Sequence, residues 1–103
     1  MRTGIVIGTV VATRKEESLV GCKLLLTQPV TIDKKPVGEP ILAVDTVGAG
    51  IGEWVIFATG TASRNAANRP KAAIDAAIIG IIDQVDVDMT IFDERPQGEG
   101  IKK

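Results

Sequence analysis

The sequence predicts an all-β protein: a small closed barrel of five short strands, with one short helix and a C-terminal strand or tail. Three observations predict it. Runs rich in β-branched and other apolar residues recur along the chain, each bounded by Gly, Pro or charged turn residues. In the first two thirds only Thr61–Asn68 carries the start and stop signals of a helix. The chain has 103 residues, enough for one core, whereas two cores would each be too small for burial to offset chain entropy. Residues 1–92 therefore read as one barrel domain and 93–103 as a polar C-terminal tail.

The first strand spans Thr3–Arg14, with Ile5, Ile7, Thr9, Val11 and Thr13 on one face and Val6, Gly8, Val10 and Ala12 on the other. Gly4 and Gly8 are bend points of the kind a closing barrel needs. Lys15–Ser18 is a charged hairpin connection. Leu19–Val30 resumes strand character, and Pro29 lacks a backbone donor, so pairing is expected to weaken there. Thr31–Pro40 is a loop by its turn residues, with Ile32–Pro36 as a protruding tip. Ile41–Val47 and Glu53–Thr59 are the third and fourth strands; Trp54 and Phe57 fall on opposite faces, so one is expected in the core and the other outside it. Gly60 breaks the fourth strand, Thr61 can cap the helix and Pro70 stops it. A helix of about two turns must pack on the sheet to be stable. The fifth strand covers Asp75–Ile82. Asp83–Phe92 alternates again, with Val85, Val87 and Met89 opposite Asp86, Asp88 and Thr90, and reads as a further strand exposed on one side. This order is that of a small Greek-key barrel, and the oligonucleotide/oligosaccharide-binding (OB) barrel is the nearest common type, with the helix here one strand later than usual.

Composition excludes several chemistries. The chain has no histidine and a single cysteine, Cys22, so it forms no intrachain disulfide, no Ser–His or Cys–His pair, and no ordinary zinc site. Cys22 reads as a small buried hydrophobe. Asp83, Asp86, Asp88, Asp93 and Glu94 lack the order of a calcium loop, and Asp86 and Asp88 read as solvated charges guarding a strand edge. No cofactor, metal site or catalytic residue is expected. The net charge is −1 and aromatics make up 3%, which leaves neither the basic groove nor the stacking platforms of a nucleic-acid-binding barrel. Met1-Arg2-Thr3 leads straight into the first strand without the charged, apolar and small-residue sections expected of a signal peptide, and no apolar run reaches the ~18 residues of a bilayer span. A soluble, intracellular protein is expected, without nucleic-acid or membrane partners.

The stretch Ile41–Ile56 (I-L-A-V-D-T-V-G-A-G-I-G-E-W-V-I) sets two apolar runs around glycines 48, 50 and 52. The spacing is not that of a dinucleotide fingerprint, and a strand follows where a helix N-terminus would be needed. The remaining readings are a strand connection with special backbone angles and a loop packed at a subunit contact or an axial opening. Apolar surplus favours the second. Most strands, notably Thr3–Ala12 and Ile78–Ile82, are apolar on both faces, yet a small barrel has one interior. A closed ring of identical subunits buries the excess.

The ordered set also resembles the EutN/CcmL family of bacterial microcompartment vertex proteins. Gly8–Thr13, Leu19–Leu26, Gly60–Arg64 and Ile74–Asp83 are similar to successive family segments, and Ala43–Trp54 (A-V-D-T-V-G-A-G-I-G-E-W) is the most specific match. The resemblance covers Met1 to about Asp83; Asn65–Asn68 and the chain after Asp83 carry no match. It implies an OB-type barrel and a ring of five, a number that residue patterns alone do not give. The ring would sit at the vertices of a polyhedral shell in the bacterial cytoplasm, beside hexameric and trimeric shell tiles, in a structural role without catalysis or cofactor. It marks Asp45, Gly48, Ala49, Gly50, Gly52, Glu53 and Arg64 as candidates for subunit contact and the axial opening. The alternative is a barrel of the same type that binds single-stranded nucleic acid or a small ligand.

Overall fold

The computed structural model describes residues 1–92; the expected polar tail, with Asp93 and Glu94, lies outside the described residues. Five strands form: β1 (Arg2–Val10), β2 (Leu24–Val30), β3 (Ile41–Asp45), β4 (Trp54–Thr59) and β5 (Ala76–Ile81). They close a barrel in the order β1-β2-β3-β5-β4, with β4 paired back to β1. Every neighbouring pair is antiparallel except β3 with β5. One helix, α1 (Thr61–Ala66), links β4 to β5 and packs on both. This is the five-stranded barrel with one short helix that the sequence predicts.

The interior is built from alternate residues of each strand. Val6, Leu25, Ala43, Ala49, Val55, Phe57, Ala76 and Ile78 form one buried cluster. Phe57 is fully buried while Trp54 is only partly so, which settles which aromatic serves the core. Burying Phe57 contributes about 1.5–3 kcal/mol. The space for its ring comes from Gly4: a Cβ there would lie 2.7 Å from Thr27 Cγ2 and 3.3 Å from Phe57 Cε2. Gly4 is thus a close-approach position more than a bend point. A second apolar cluster, Val44, Ala72 and Ile74, lies outside the barrel and is flanked by Leu19, Cys22, Leu24 and Ala67, so Cys22 packs as a small apolar side chain that is only partly buried, not fully as expected.

Several element boundaries depart from expectation. β1 ends at Val10 because its last cross-strand partner is Leu24. Leu19 and Cys22 turn into the outer cluster instead of continuing the ladder, and Glu17–Leu19 forms a turn of 3-10 helix. A bulge between Val6 and Gly8 leaves Ile7 unpaired and flips the side-chain phase of β1, so strict alternation fails there. Pro29 does not weaken the β1–β2 ladder. Its carbonyl accepts from Val37 N–H at 3.0 Å, on the side away from β1, and the missing donor faces the same side. The helix cap is Gly60, not Thr61. The chain leaves β4 with φ 65° at Gly60, a backbone state that glycine adopts readily, and Thr61 becomes the first helical residue. The helix stops at Ala66, before Pro70 is reached, and Asn68 reverses the chain with φ 59°.

Asp83–Phe92 does not form the expected strand. Among the described residues no strand lies beside it, and a strand without a partner leaves its backbone groups unpaired. Asp83–Asp88 adopts no regular element, and the segment ends in a 3-10 turn over Met89–Phe92. Since no strand edge exists there, Asp86 and Asp88 guard none.

Candidate functional site

The loop between β3 and β4 is held from inside its own chain. Asp45 closes β3 with a side chain only 2% exposed. Its Oδ1 accepts from the backbone N–H groups of Val47 (3.1 Å) and Gly48 (3.2 Å), and its Oδ2 from that of Ala49 (3.0 Å). Lys23 Nζ lies 3.5 Å from Oδ2 and donates to the Ala49 carbonyl at 3.0 Å. From the other end, Glu53 Oε1 accepts from Gly50 N–H at 2.6 Å, and Glu53 N–H returns to the Gly50 carbonyl at 3.1 Å. Gly52 N–H donates to the Val6 carbonyl at 2.7 Å, which ties the loop to β1. Ala49 is wholly buried and anchors the loop in the barrel core.

The three glycines have different jobs. Gly48 (φ 80°) and Gly52 (φ 91°) occupy the left-handed region, so backbone angle accounts for both. Gly50 has no such angle, and a Cβ there would meet only Glu53 Oε1, at an unstrained 3.6 Å. Within one subunit nothing requires glycine at position 50.

This arrangement disposes of an anion cradle. A phosphate loop offers free N–H groups, often with a helix N-terminus behind them. Here the N–H groups of Val47, Gly48, Ala49, Gly50, Gly52 and Glu53 are all engaged, and two carboxylates sit among them. What the loop turns outward is apolar: Val47 is 40% and Ile51 66% exposed. Such a tip suits contact with protein.

Arg64 lies elsewhere. It sits in the last turn of α1, beyond the far end of β4 from the loop. Its Nη1 donates to the Ile74 carbonyl at 3.1 Å and its Nη2 to Thr61 Oγ1 at 3.0 Å. Of the residues marked by sequence, the structure brings together Asp45, Gly48, Ala49, Gly50, Gly52 and Glu53, and leaves Arg64 at the other end of the barrel. Lys23 is a member of the loop's scaffold that sequence reasoning misses. Its long-range bond to Ala49 leaves no local pattern, and in a strand-like run Lys23 reads only as an outward-facing charge.

Other polar features are local. The carboxyls of Glu16, Asp33 and Asp88 are held below the ordinary carboxylate range chiefly by hydrogen bonds from the hydroxyls of Ser18, Thr31 and Thr90. All three are exposed turn residues, and none touches the loop. Among the described residues no group of three or more Cys, Asp or Glu could hold a metal ion. Among the described residues no helix is long and apolar enough to cross a membrane. Lys34 Nζ lies over the Trp54 ring, 4.7 Å from its centroid.

Surplus apolar surface is present as expected. Besides Val47 and Ile51, Ile7, Val11, Val20 and Leu42 are exposed on the barrel.

Comparison with known proteins follows the same lines. Residues 1–83 match the family model described as ethanolamine utilisation protein EutN/carboxysome. The carboxysome shell vertex protein CcmL of Gloeobacter violaceus is 48% identical over 88 residues, covering 85% of this chain and 88% of its own. The microcompartment shell vertex protein PduN of Salmonella typhimurium is 42% identical over 87 residues, covering 81% and 96%. Among solved structures, the pentameric microcompartment shell protein GrpN of Rhodospirillum rubrum superposes with a TM-score of 0.78 at 46% identity, covering 85% of this chain and all of its own.

Proposed function

This chain belongs to the EutN/CcmL family, and from that premise we propose that its copies form a five-membered ring that closes the vertices of a bacterial microcompartment shell. The function is structural, exercised in the shell of a compartment in the bacterial cytoplasm. The family supplies the ring number, through relatives such as the pentameric GrpN. The physical reason for a ring is the apolar surface that one barrel cannot bury. A sheet of hexagonal tiles stays flat, and pentagons inserted at vertices give it the curvature to close. The hexameric and trimeric tiles that surround such a vertex are the partners this reading implies. It assigns the protein no catalysis, no cofactor and no nucleic acid.

Within the ring, the loop from Asp45 to Glu53 meets neighbouring subunits at or near the axis. The observation that carries this assignment is the loop's inward-turned donors combined with its outward Val47 and Ile51. Asp45 and Glu53 hold the loop, Gly48 and Gly52 supply its angles, Ala49 anchors it, and Gly50 keeps side-chain atoms out of the contact. Arg64 acts at a distance, by fixing the chain entering β5 through the Ile74 carbonyl.

Gly50→Lys tests the assignment cleanly. The isolated subunit accepts a Cβ at position 50 without strain, so its folding should hold while the ring weakens. Rings and shells that assemble unchanged with Lys at position 50 would show that no neighbour approaches there.

A further inference from the structure

A run of exposed apolar side chains gathers after β5. Val87 is 53%, Met89 64%, Ile91 72% and Phe92 70% exposed, and every residue from Asp83 to Phe92 is open to solvent. The side-chain hydrogen bonds within the segment, Gln84 to Asp86 and Thr90 to Asp88, are local. Yet Val85, Val87 and Met89 alternate with Asp86, Asp88 and Thr90 at the period of a half-buried strand. A strand's period without a partner strand points to a partner supplied from outside the subunit.

The barrel has a matching vacancy. β3 pairs with β2 along Ile41–Val44 but with β5 only at Val44 and Asp45. The second edge of Ile41–Ala43 therefore faces no strand. Beside it runs an apolar groove lined by Leu19, Leu24, Leu42, Val44 and Ile74, with Leu42 48% exposed. Asp75 also lines this groove, but its flank is basic. Arg64 bonds the Ile74 carbonyl, Arg69 bonds the Ser18 carbonyl at 2.9 Å, and Lys71 is exposed beside them. Asp83–Phe92 carries three aspartates and no Lys or Arg.

We propose that Asp83–Phe92 crosses to the next subunit of the ring and lies along the free edge of its β3, with Val85, Val87 and Met89 in the apolar groove. The added strand satisfies backbone groups on both sides, as in β-augmentation. It covers an edge that would otherwise invite non-specific pairing. The arm's three negative charges are opposite in sign to the basic flank, which favours this groove over other apolar patches on the barrel. The proposal rests on the ring reading above and adds to it the segment that links one subunit to the next.

Hydrogen exchange on the full chain tests it, with the ring's mass measured on the same samples. In the ring, alternate amides of Val85–Thr90 and the amide of Leu42, which faces away from β2, should be protected, and dilution to the monomer should release both. The double variant Val85→Asp, Val87→Asp alters side chains that are exposed in the single subunit, so its barrel should fold. It should expose both segments and raise the subunit dissociation constant by about tenfold or more. A Leu42→Asp variant should do the same from the acceptor side. An intact ring in which Val85–Thr90 exchanges freely overturns the crossing arm and leaves the ring standing. Protection that persists in the diluted monomer places the arm on its own barrel and also overturns the proposal. A chain that is monomeric at micromolar concentration removes the ring reading itself.

Discussion

Replacing Asp45 with alanine should unfasten the loop, and the structure allows the loss to be sized. The carboxylate accepts three backbone N–H bonds while its side chain is 2% exposed. Val47 and Gly48 are exposed, so water can replace the carboxylate at their amides, at about 0.5 kcal/mol each. Ala49 is fully buried, and its N–H has no such recourse. A charge-assisted bond to a donor that is then left unsatisfied is worth about 1.5–3 kcal/mol. Lys23 is about half exposed, so losing its pairing adds little. The sum is about 3 kcal/mol. With an m-value of about 1.5 kcal/mol per molar urea, the unfolding midpoint should fall by about 2 M. Asp45→Asn, which keeps one acceptor oxygen, should lose about half as much. Both are measured by urea unfolding at one fixed protomer concentration, because assembly raises apparent stability by mass action. Hydrogen exchange at the Ala49 amide locates the effect. A shift below about 0.5 kcal/mol for Asp45→Ala, or an Ala49 amide as protected as before, would refute the reasoning that Asp45 holds the loop.

Other substitutions separate folding from assembly. Gly4→Ala places a Cβ 2.9 Å from the Gln28 carbonyl oxygen, a backbone atom that cannot swing aside; overpacking of about 2–3 kcal/mol should lower Tm by about 10 °C or more. Gly48→Ala should cost about 1–2 kcal/mol through its positive φ, whereas Gly50→Ala should leave unfolding of the separated subunit within about 0.5 kcal/mol, and paired denaturation curves decide this. Trp54 Nε1 is buried without a hydrogen-bond partner among the described residues, so Trp54→Phe forfeits no hydrogen bond there and should shift stability, read by circular dichroism, by less than about 1.5 kcal/mol. Arg64→Ala should cost about 1 kcal/mol of thermal stability through its bonds to Ile74 and Thr61.

Sequence legibility followed the range of the interactions involved. The strands are readable because buried residues recur with a two-residue period between turn residues, as Leu25 and Thr27 do in β2 and Val55 and Phe57 in β4. The bulge at Ile7 is not readable, because it adds one residue to a ladder whose partner is distant in sequence. Asp83–Phe92 misleads for the opposite reason: its alternation is real, but a strand also requires an edge to pair with, and its own chain provides none among the described residues. In the loop, Gly48 and Gly52 signal unusual backbone through residue type alone. The carboxylate clamp of Asp45 and Glu53 could have been inferred from short-range spacing, three and four residues from the amides they cap. Lys23 could not, because 26 residues separate it from Ala49.

The central claim is that the apolar surface left over by one barrel is buried in a closed ring of this chain. The direct measurement is mass in solution by light scattering at micromolar concentration and physiological salt. The account predicts a single species of five times the 10.8 kDa of one chain. A stable monomer under those conditions would contradict it.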